Sequence, residues 1–330
     1  MSELLHTENG NTVKVIYPSA FMLRPFGGAI NCLRAANIVR QLLMEFQPDA
    51  VIAYNTYLFE FFAIREILSR KHLPFCLEIE DLPLARKRGV SNLKPLIDSF
   101  CWNGMLRNAS SYLAVNKYIF DKLPNNKPKM LLPGVIDQKL FVKAKTRTSP
   151  FKNSYYLLGY FGALSAEKGV EVLLELVPNL APPWKLIVTG SGHLSDKFEL
   201  LSQKYPDRLQ FLGCVPEQLM YDKMCICDCI VIPLERITGD GQGVFPFKTL
   251  EYLVSGAHII STKLASQGDF DLSFMQIWDG NASSLLELLH SAKADYIKKI
   301  DLLNSAKEYV INNYTSVSIQ QKLSYLLQIR

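Results

Sequence analysis

In the stretch GVFPFKTLEYLVSGAHIIS, Gly243 to Ser261, one carboxylate stands in a pattern otherwise built to bury carbon. Pro246 suits a first helical position, where its missing N–H is not needed, and Gly256 suits the left-handed residue beyond a last turn. The spacing therefore predicts a helix over 246–255. Phe247, Leu250, Leu253, Val254 and Ala257 recur at the spacing of a core-facing stripe, and Glu251 falls one turn after Phe247, on its edge. A half-buried carboxylate needs donors, because a buried charge without partners is costly. Two kinds of partner are open to it. Lys248, three residues earlier on the same helix, could form a local ion pair, or a ligand could bring hydrogen-bond donors of its own.

Other side chains offer chemistry of weaker specificity. Glu80 and Asp81, in LEIEDLP, are adjacent carboxylates at a strand end. They could contact an acceptor hydroxyl or ease the loss of its proton, or they could cap a helix or pair with Arg86 or Lys87. GSGHLS, Gly190 to Ser195, begins like a dinucleotide fingerprint, but Ser195 stands where the third glycine belongs and the turn does not follow a first strand. His193 there fits a solvated turn. Cys225, Cys227 and Cys229 alternate with apolar residues, match no common zinc spacing and suit core packing, so no metal site is expected. Lys and Arg exceed Asp and Glu by 36 to 31, and basic residues cluster in ARKRG (85–89) and KAKTR (143–147). Such clusters suit phosphate-bearing substrates or an anionic membrane surface, and no nucleic-acid-binding motif accompanies them.

The elements that must position these groups alternate between strand and helix. TVKVIYPS, a helix near 28–46, DAVIAYN, a helix near 57–71, PFCLEIE, a helix near 94–108, SYLAVN and KMLLPG form one series. After a polar stretch near 141–153 the alternation restarts with YLLGYFG, WKLIVTG, LQFLG, CIVIPL and HIIST, separated by helices near 168–179, 195–204, 216–225 and 246–255. A long helical pattern over 283–328 closes the chain. Alternation of this kind implies parallel sheets and an α/β fold, with 141–153 as linker between domains at 1–150 and 151–330. The length of 330 residues accommodates both, and 48% hydrophobic with 20% charged residues describes a globular protein. The sequence has no apolar run of spanning length and no signal-like start, so a cytoplasmic location is expected. Glycine-bearing turns (GALSAEKG, TGSG, GCVPE) follow successive strands of the second half, where backbone N–H groups and helix N-termini can meet an anion.

Four blocks in the second half resemble, in order, the nucleotide-sugar-binding domain of retaining GT-B glycosyltransferases of family 4, the group 1 glycosyl transferases. They are YFGALSAEKGVEVLLE, LIVTGSG, FLGCVPEQLMYDKMCICDCIVIPL and FPFKTLEYLVSGAHIIST. The first half is similar through Gly27 and Gly28, PDAVIAYN and LLPGVIDQKLF. The resemblance implies a GT-B architecture, two Rossmann-like domains facing a central cleft, with the N-terminal one short and on the acceptor side. It implies that Glu251 accepts hydrogen bonds from the ribose hydroxyls of a donor nucleotide and that Lys168 reaches its diphosphate. Val244 and Phe245 would offer N–H groups to the distal phosphate, and Val215, in the turn Gly213–Pro216, would lie near the base. Gly162, Gly190, Gly192, Gly243, Lys248 and Thr249 would complete the donor side, while Gly27 and Gly28, with Glu80 and Asp81, would face the acceptor.

The activity implied is metal-independent transfer of a sugar, with retention, from a UDP- or GDP-sugar to a glycan or lipid-linked glycan, at the inner face of a membrane and without other cofactor. The alternative is a non-catalytic homologue serving a partner glycosyltransferase. Gly243, where the family often has an acid, and the short N-terminal domain favour the alternative, while Lys168 and Glu251 speak for the enzyme; Ala163 stands where the family often has an arginine.

Overall fold

A computed structural model of the chain describes residues 2–6, 12–16, 27–55, 61, 64, 67, 69, 72–80, 93–146, 150–234, 247–262 and 272–328. By internal contacts the chain divides into two units. The first comprises Met1–Val115, Ile119–Leu131 and Lys322–Arg330, and the second Asn116–Tyr118 and Leu132–Gln321.

The first unit opens with an antiparallel hairpin of β1 (Ser2–His6) and β2 (Thr12–Ile16), followed by α1 (Gly27–Phe46). β3 (Val51–Tyr54), β4 (Phe75–Ile79), β5 (Ser111–Ala114) and β6 (Lys129–Leu131) then pair in parallel, in chain order across a four-stranded sheet. Cys76, Leu77, Ile79, Tyr112 and Ala114 are buried, as strands covered on both faces require. Helix α2 (Leu93–Asn108) and the short α3 (Lys117–Lys122) intervene. Two lysines finish these helices. Lys127 donates to the carbonyls of Leu106, Arg107 and Ala109 at 3.0, 2.7 and 2.6 Å, and Lys129 to those of Phe120 and Leu123 at 2.9 and 3.1 Å. Each ammonium thus meets carbonyls that a helix end leaves without partners, where positive charge also suits the dipole. The helix expected near 57–71 lies mostly outside the described residues.

The second unit begins with a correction. Residues of the expected linker form part of α4 (Gln138–Lys145), capped by Asp137, whose carboxylate accepts from Lys139 N–H at 2.6 Å. Leu140 and Ala144 are buried, so the polar stretch is the outer face of an amphipathic helix. Within KAKTR, Lys143 pairs with Asp222 at 2.7 Å and the Lys145 ammonium lies over the Phe141 ring, so both have intramolecular partners. Contact division assigns 132–150 to the second unit and 322–330 to the first, where the sequence suggested one boundary at 150/151.

Next come β7 (Tyr156–Phe161), α5 (Glu171–Leu176), β8 (Trp184–Thr189), α6 (Ser195–Lys204), β9 (Leu209–Phe211), α7 (Glu217–Ile226), β10 (Cys229–Ile232), α8 (Lys248–Ser255), β11 (His258–Thr262) and β12 (Gln276–Trp278). The expected 168–179 helix is broken into a 3-10 turn over Ala166–Lys168, α5, and a second 3-10 turn over Val177–Asn179. Gly169, in the left-handed region at φ 67°, ends the first of these. The long terminal pattern is also two helices, α9 (Ala282–Tyr314) and α10 (Ser316–Leu327), parted at Thr315.

All six strands of this unit are parallel, in the order β9-β8-β7-β10-β11-β12. The first strand made is central and the chain winds outward from it twice, the doubly wound order. Leu158, Leu186, Val188, Val231 and Ile260 of the sheet pack with Leu173, Leu176, Phe198, Leu285 and Leu289 of the helices. Buried Asp228, ahead of β10, accepts from Phe151 N–H at 2.5 Å and Leu157 N–H at 2.7 Å, tying the entry of the unit to its central strand. Cys225, Cys227 and Cys229 are buried in the core, as expected. Among the described residues no helix is long and apolar enough to cross a membrane.

Candidate functional site

In the second sheet the chain leaves β7 toward one edge and β10 toward the other, so the carboxyl ends of these neighbours form a topological switch point. Open α/β sheets leave a crevice there. A cavity of about 270 Å³ occupies it, lined by Gly162 and Ala163 after β7, Pro233 after β10, Lys168, and Phe247 and Lys248 at the start of α8. Every lining residue belongs to the second unit.

Glycines let the loops above the sheet come together. Gly190 sits at φ 137°, and a Cβ there would fall 1.8 Å from the carbonyl oxygen of Gly162. At Gly192 it would fall 2.3 Å from the Leu164 oxygen. Only hydrogen fits. The two loops are also bonded, Gly162 N–H to Thr189 O at 3.1 Å and Leu164 N–H to Ser191 O at 2.9 Å. Gly190 and Gly192 thus shape the cavity wall by backbone-on-backbone packing, and the Gly162 N–H is engaged within the protein.

Helix α8 carries the carboxylate that the sequence singled out. It is amphipathic with Leu250, Leu253 and Val254 fully buried, and Gly256 at φ 79° ends it in the left-handed turn expected. Phe247 is its cap and Lys248 its first residue, two later than the 246 the sequence suggested. Tyr252 anchors it, its hydroxyl donating to Phe161 O at 2.7 Å at the end of β7. Glu251 is only 5% exposed, and its Oε2 has no hydrogen-bond partner among the described residues. Lys248 Nζ stands 3.5 Å from that oxygen, an ion pair without a hydrogen bond. Burial pushes the Glu251 carboxyl up and Glu217 adds to this, while Lys248 and the Tyr221 hydroxyl pull it down. The Oγ1 of Thr249, fully buried two residues earlier, likewise has no partner among the described residues.

Lys168 is exposed at the end of the 3-10 turn and lines the same cavity as Lys248. Val215 is half-buried in the turn after β9. Gly243, Val244 and Phe245 lie outside the described residues, as does Asp81. In the first unit, Gly27 and Gly28 open α1. Glu80 is exposed past the end of β4, where its carboxylate accepts from the Tyr54 hydroxyl and its N–H donates to Asn55 Oδ1 at 2.8 Å. Its partner is thus a neighbouring tyrosine.

With this geometry in place, comparison with known proteins is informative. Residues 156–271 match the model of the family described as glycosyl transferases group 1. That stretch, about a third of the chain, is similar to the group 1 glycosyl transferases. Solved structures agree in fold. The sucrose-phosphate synthase of Thermosynechococcus elongatus superposes with a TM-score of 0.67 at 14% identity, over 98% of this chain and 84% of that one. HepE of Anabaena, in complex with UDP, gives 0.64 at 16% identity over 90% and 82%. The lipopolysaccharide outer core galactosyltransferase WaaB gives 0.58 at 17% over 90% and 80%. No curated protein sequence matches significantly. The α/β GT-B fold expected from the sequence stands.

The sequence left two residues near Glu251 unremarked. Tyr221 is buried and its hydroxyl is pushed far up, by burial first and then by the negative charge of Glu251, Glu217 and Asp137. Glu217 and Tyr221 share one face of α7 at i, i+4 spacing, and α7 follows a strand-end turn. Those two facts were the available signal.

Proposed function

We propose that the protein is a retaining, metal-independent glycosyltransferase that moves a sugar from a nucleoside-diphosphate donor to a hydroxyl of a glycan or lipid-linked glycan. The observation that carries the reading is the buried Glu251 oxygen that has no hydrogen-bond partner among the described residues, paired at 3.5 Å with Lys248, which lines the switch-point cavity together with Lys168. A vicinal diol supplies the two O–H donors that a carboxylate can accept together. Lys168 and Lys248 meet the diphosphate, whose negative charge grows as the sugar leaves, so their attraction is stronger in the transition state than before it. HepE structures hold UDP and UDP-glucose, which makes a UDP-sugar the first donor to try. The leaving diphosphate helps take the acceptor proton, and Gly27, Gly28, Glu80 and Asp81 serve the acceptor side. The acceptor is met at the inner membrane face, through the basic residues of 85–89.

The test is turnover. Hydrolysis and transfer are measured with a panel of UDP- and GDP-sugars, with and without membrane extract as acceptor source, and in EDTA. Transfer that survives chelation, and that Lys168→Ala depresses more than it weakens donor binding, supports the reading. Activity lost in EDTA and restored by manganese would refute metal independence. No turnover with any donor, with a second transferase recovered in pull-down, would leave the non-catalytic partner role that Gly243 in place of the usual acid favours.

A further inference from the structure

Lys248 and Glu251 form a pair in which both members are poorly served. Nζ and Oε2 stand 3.5 Å apart, and Oε2 is buried without a hydrogen bond among the described residues. Among the described residues the ammonium makes a hydrogen-bond contact only with the Met220 thioether, at 3.6 Å, a weak acceptor. In the same unit the Lys143–Asp222 pair, more exposed and with less to gain, closes to 2.7 Å. A buried ion pair stabilises a fold only when its geometry is good and its remaining valences are met. This one is long, and its Oε2 lacks a hydrogen bond among the described residues. Its lysine also lines the cavity at the switch point, beside Lys168.

We propose that Lys248 is a placeholder for the nucleotide: its ammonium keeps Glu251 ionised until a ribose diol takes the carboxylate, and then serves the diphosphate in the cavity. The inference rests on the donor-site reading above. The exchange moves no proton and breaks no covalent bond. Glu251 trades one cation for two hydroxyl donors, and Lys248 trades one carboxylate for phosphate oxygens. Among the described residues, the groups that act on Glu251 are Lys248 on its own helix and Glu217 and Tyr221 on α7, with Asp137 acting on Tyr221 from the start of α4. Lys248 is the only cation among them. Without it, burial and Glu217 favour the protonated acid, which has a hydroxyl in place of one acceptor oxygen.

The test compares UDP, titrated by calorimetry, with uridine, titrated by NMR, on wild type, Lys248→Met and Lys248→Arg; GDP and guanosine are run beside them. At about pH 8.5, Lys248→Met should lose roughly tenfold or more in UDP affinity and keep or gain uridine affinity. From about pH 8.5 to about 5.5 its uridine affinity should fall more steeply than that of wild type, because without the ammonium the raised carboxyl of Glu251 is protonated more readily. Lys248→Arg should restore both. Equal losses for UDP and uridine at both pH values would reduce Lys248 to a support of α8 and overturn the exchange. So would unchanged UDP binding, or a wild type that binds UDP and ignores uridine. A wild type that binds neither diphosphate would instead overturn the donor-site reading.

Discussion

The two parallel sheets of this chain differ in order, and the difference decides where a ligand can sit. In the first unit the described strands follow one another across the sheet as they do along the chain, β3 to β6. Successive crossovers run one way, and the described part of this sheet has no switch point. In the second unit the chain starts in the middle and winds both ways, so β7 and β10 part company and a cavity opens above them. Loop chemistry follows the same division. The first unit finishes helices by bringing lysine ammonium groups to their last carbonyls, while the second packs loop backbone on loop backbone through glycines. One device fills polar valences with side chains, and the other removes side chains to bring backbones close.

The sharpest way to break the second arrangement is to add one carbon. Gly190→Ala places a methyl against the Gly162 carbonyl at a φ that side chains rarely adopt, and should cost more than about 3 kcal/mol. Hydrogen exchange should show the loss throughout the second unit while the β4 and β5 amides stay protected. Equal loss in both units would mean that the loops are not a local feature of the second. The first arrangement breaks by removal. Lys127→Met keeps the aliphatic stem and leaves three carbonyls without their common donor, so α2 and β5 should lose roughly 1–2 kcal/mol of protection with the second unit untouched.

A smaller effect tests whether Glu251 is held at a cost to the fold. Its carboxyl is raised in the folded protein, so the unfolded chain gives up its proton first as pH rises. Any penalty is therefore absent below the unfolded pKa and grows as pH climbs through the folded one. Glu251→Gln should melt no lower than wild type at neutral pH, with the gain vanishing in acid. A variant that melts lower at neutral pH would mean that the Lys248 pair is a net support of α8.

How much of this the sequence carried depends on how local the signal was. Helix α8, its Gly256 stop and its one carboxylate were legible because periodicity and turn chemistry act within a few residues. Strands β7 to β11 were legible for the same reason, as short apolar runs between glycine turns. Helix α4 was not, because Leu140 and Ala144 are its buried residues and charge dominates the rest. The 168–179 helix was drawn too long because its pattern of apolar residues continues through Gly169, where the backbone turns left-handed. Sheet order, and with it the cavity, is set by pairings between strands far apart in sequence. The convergence of Glu217 and Tyr221 on Glu251 depends on that tertiary placement too. The Gly190–Gly162 contact was visible only as two glycines in different turns.

The central claim is that the second unit holds a nucleoside diphosphate through Glu251. Calorimetric titration of UDP and GDP into wild type and Glu251→Ala tests it most directly. The account predicts that wild type binds at least one of them and that the variant, melting as a folded protein, binds it on the order of a hundredfold more weakly, since two charge-assisted hydrogen bonds are lost. Equal affinity in the two proteins would contradict it and leave Glu251 as the partner of Lys248 alone.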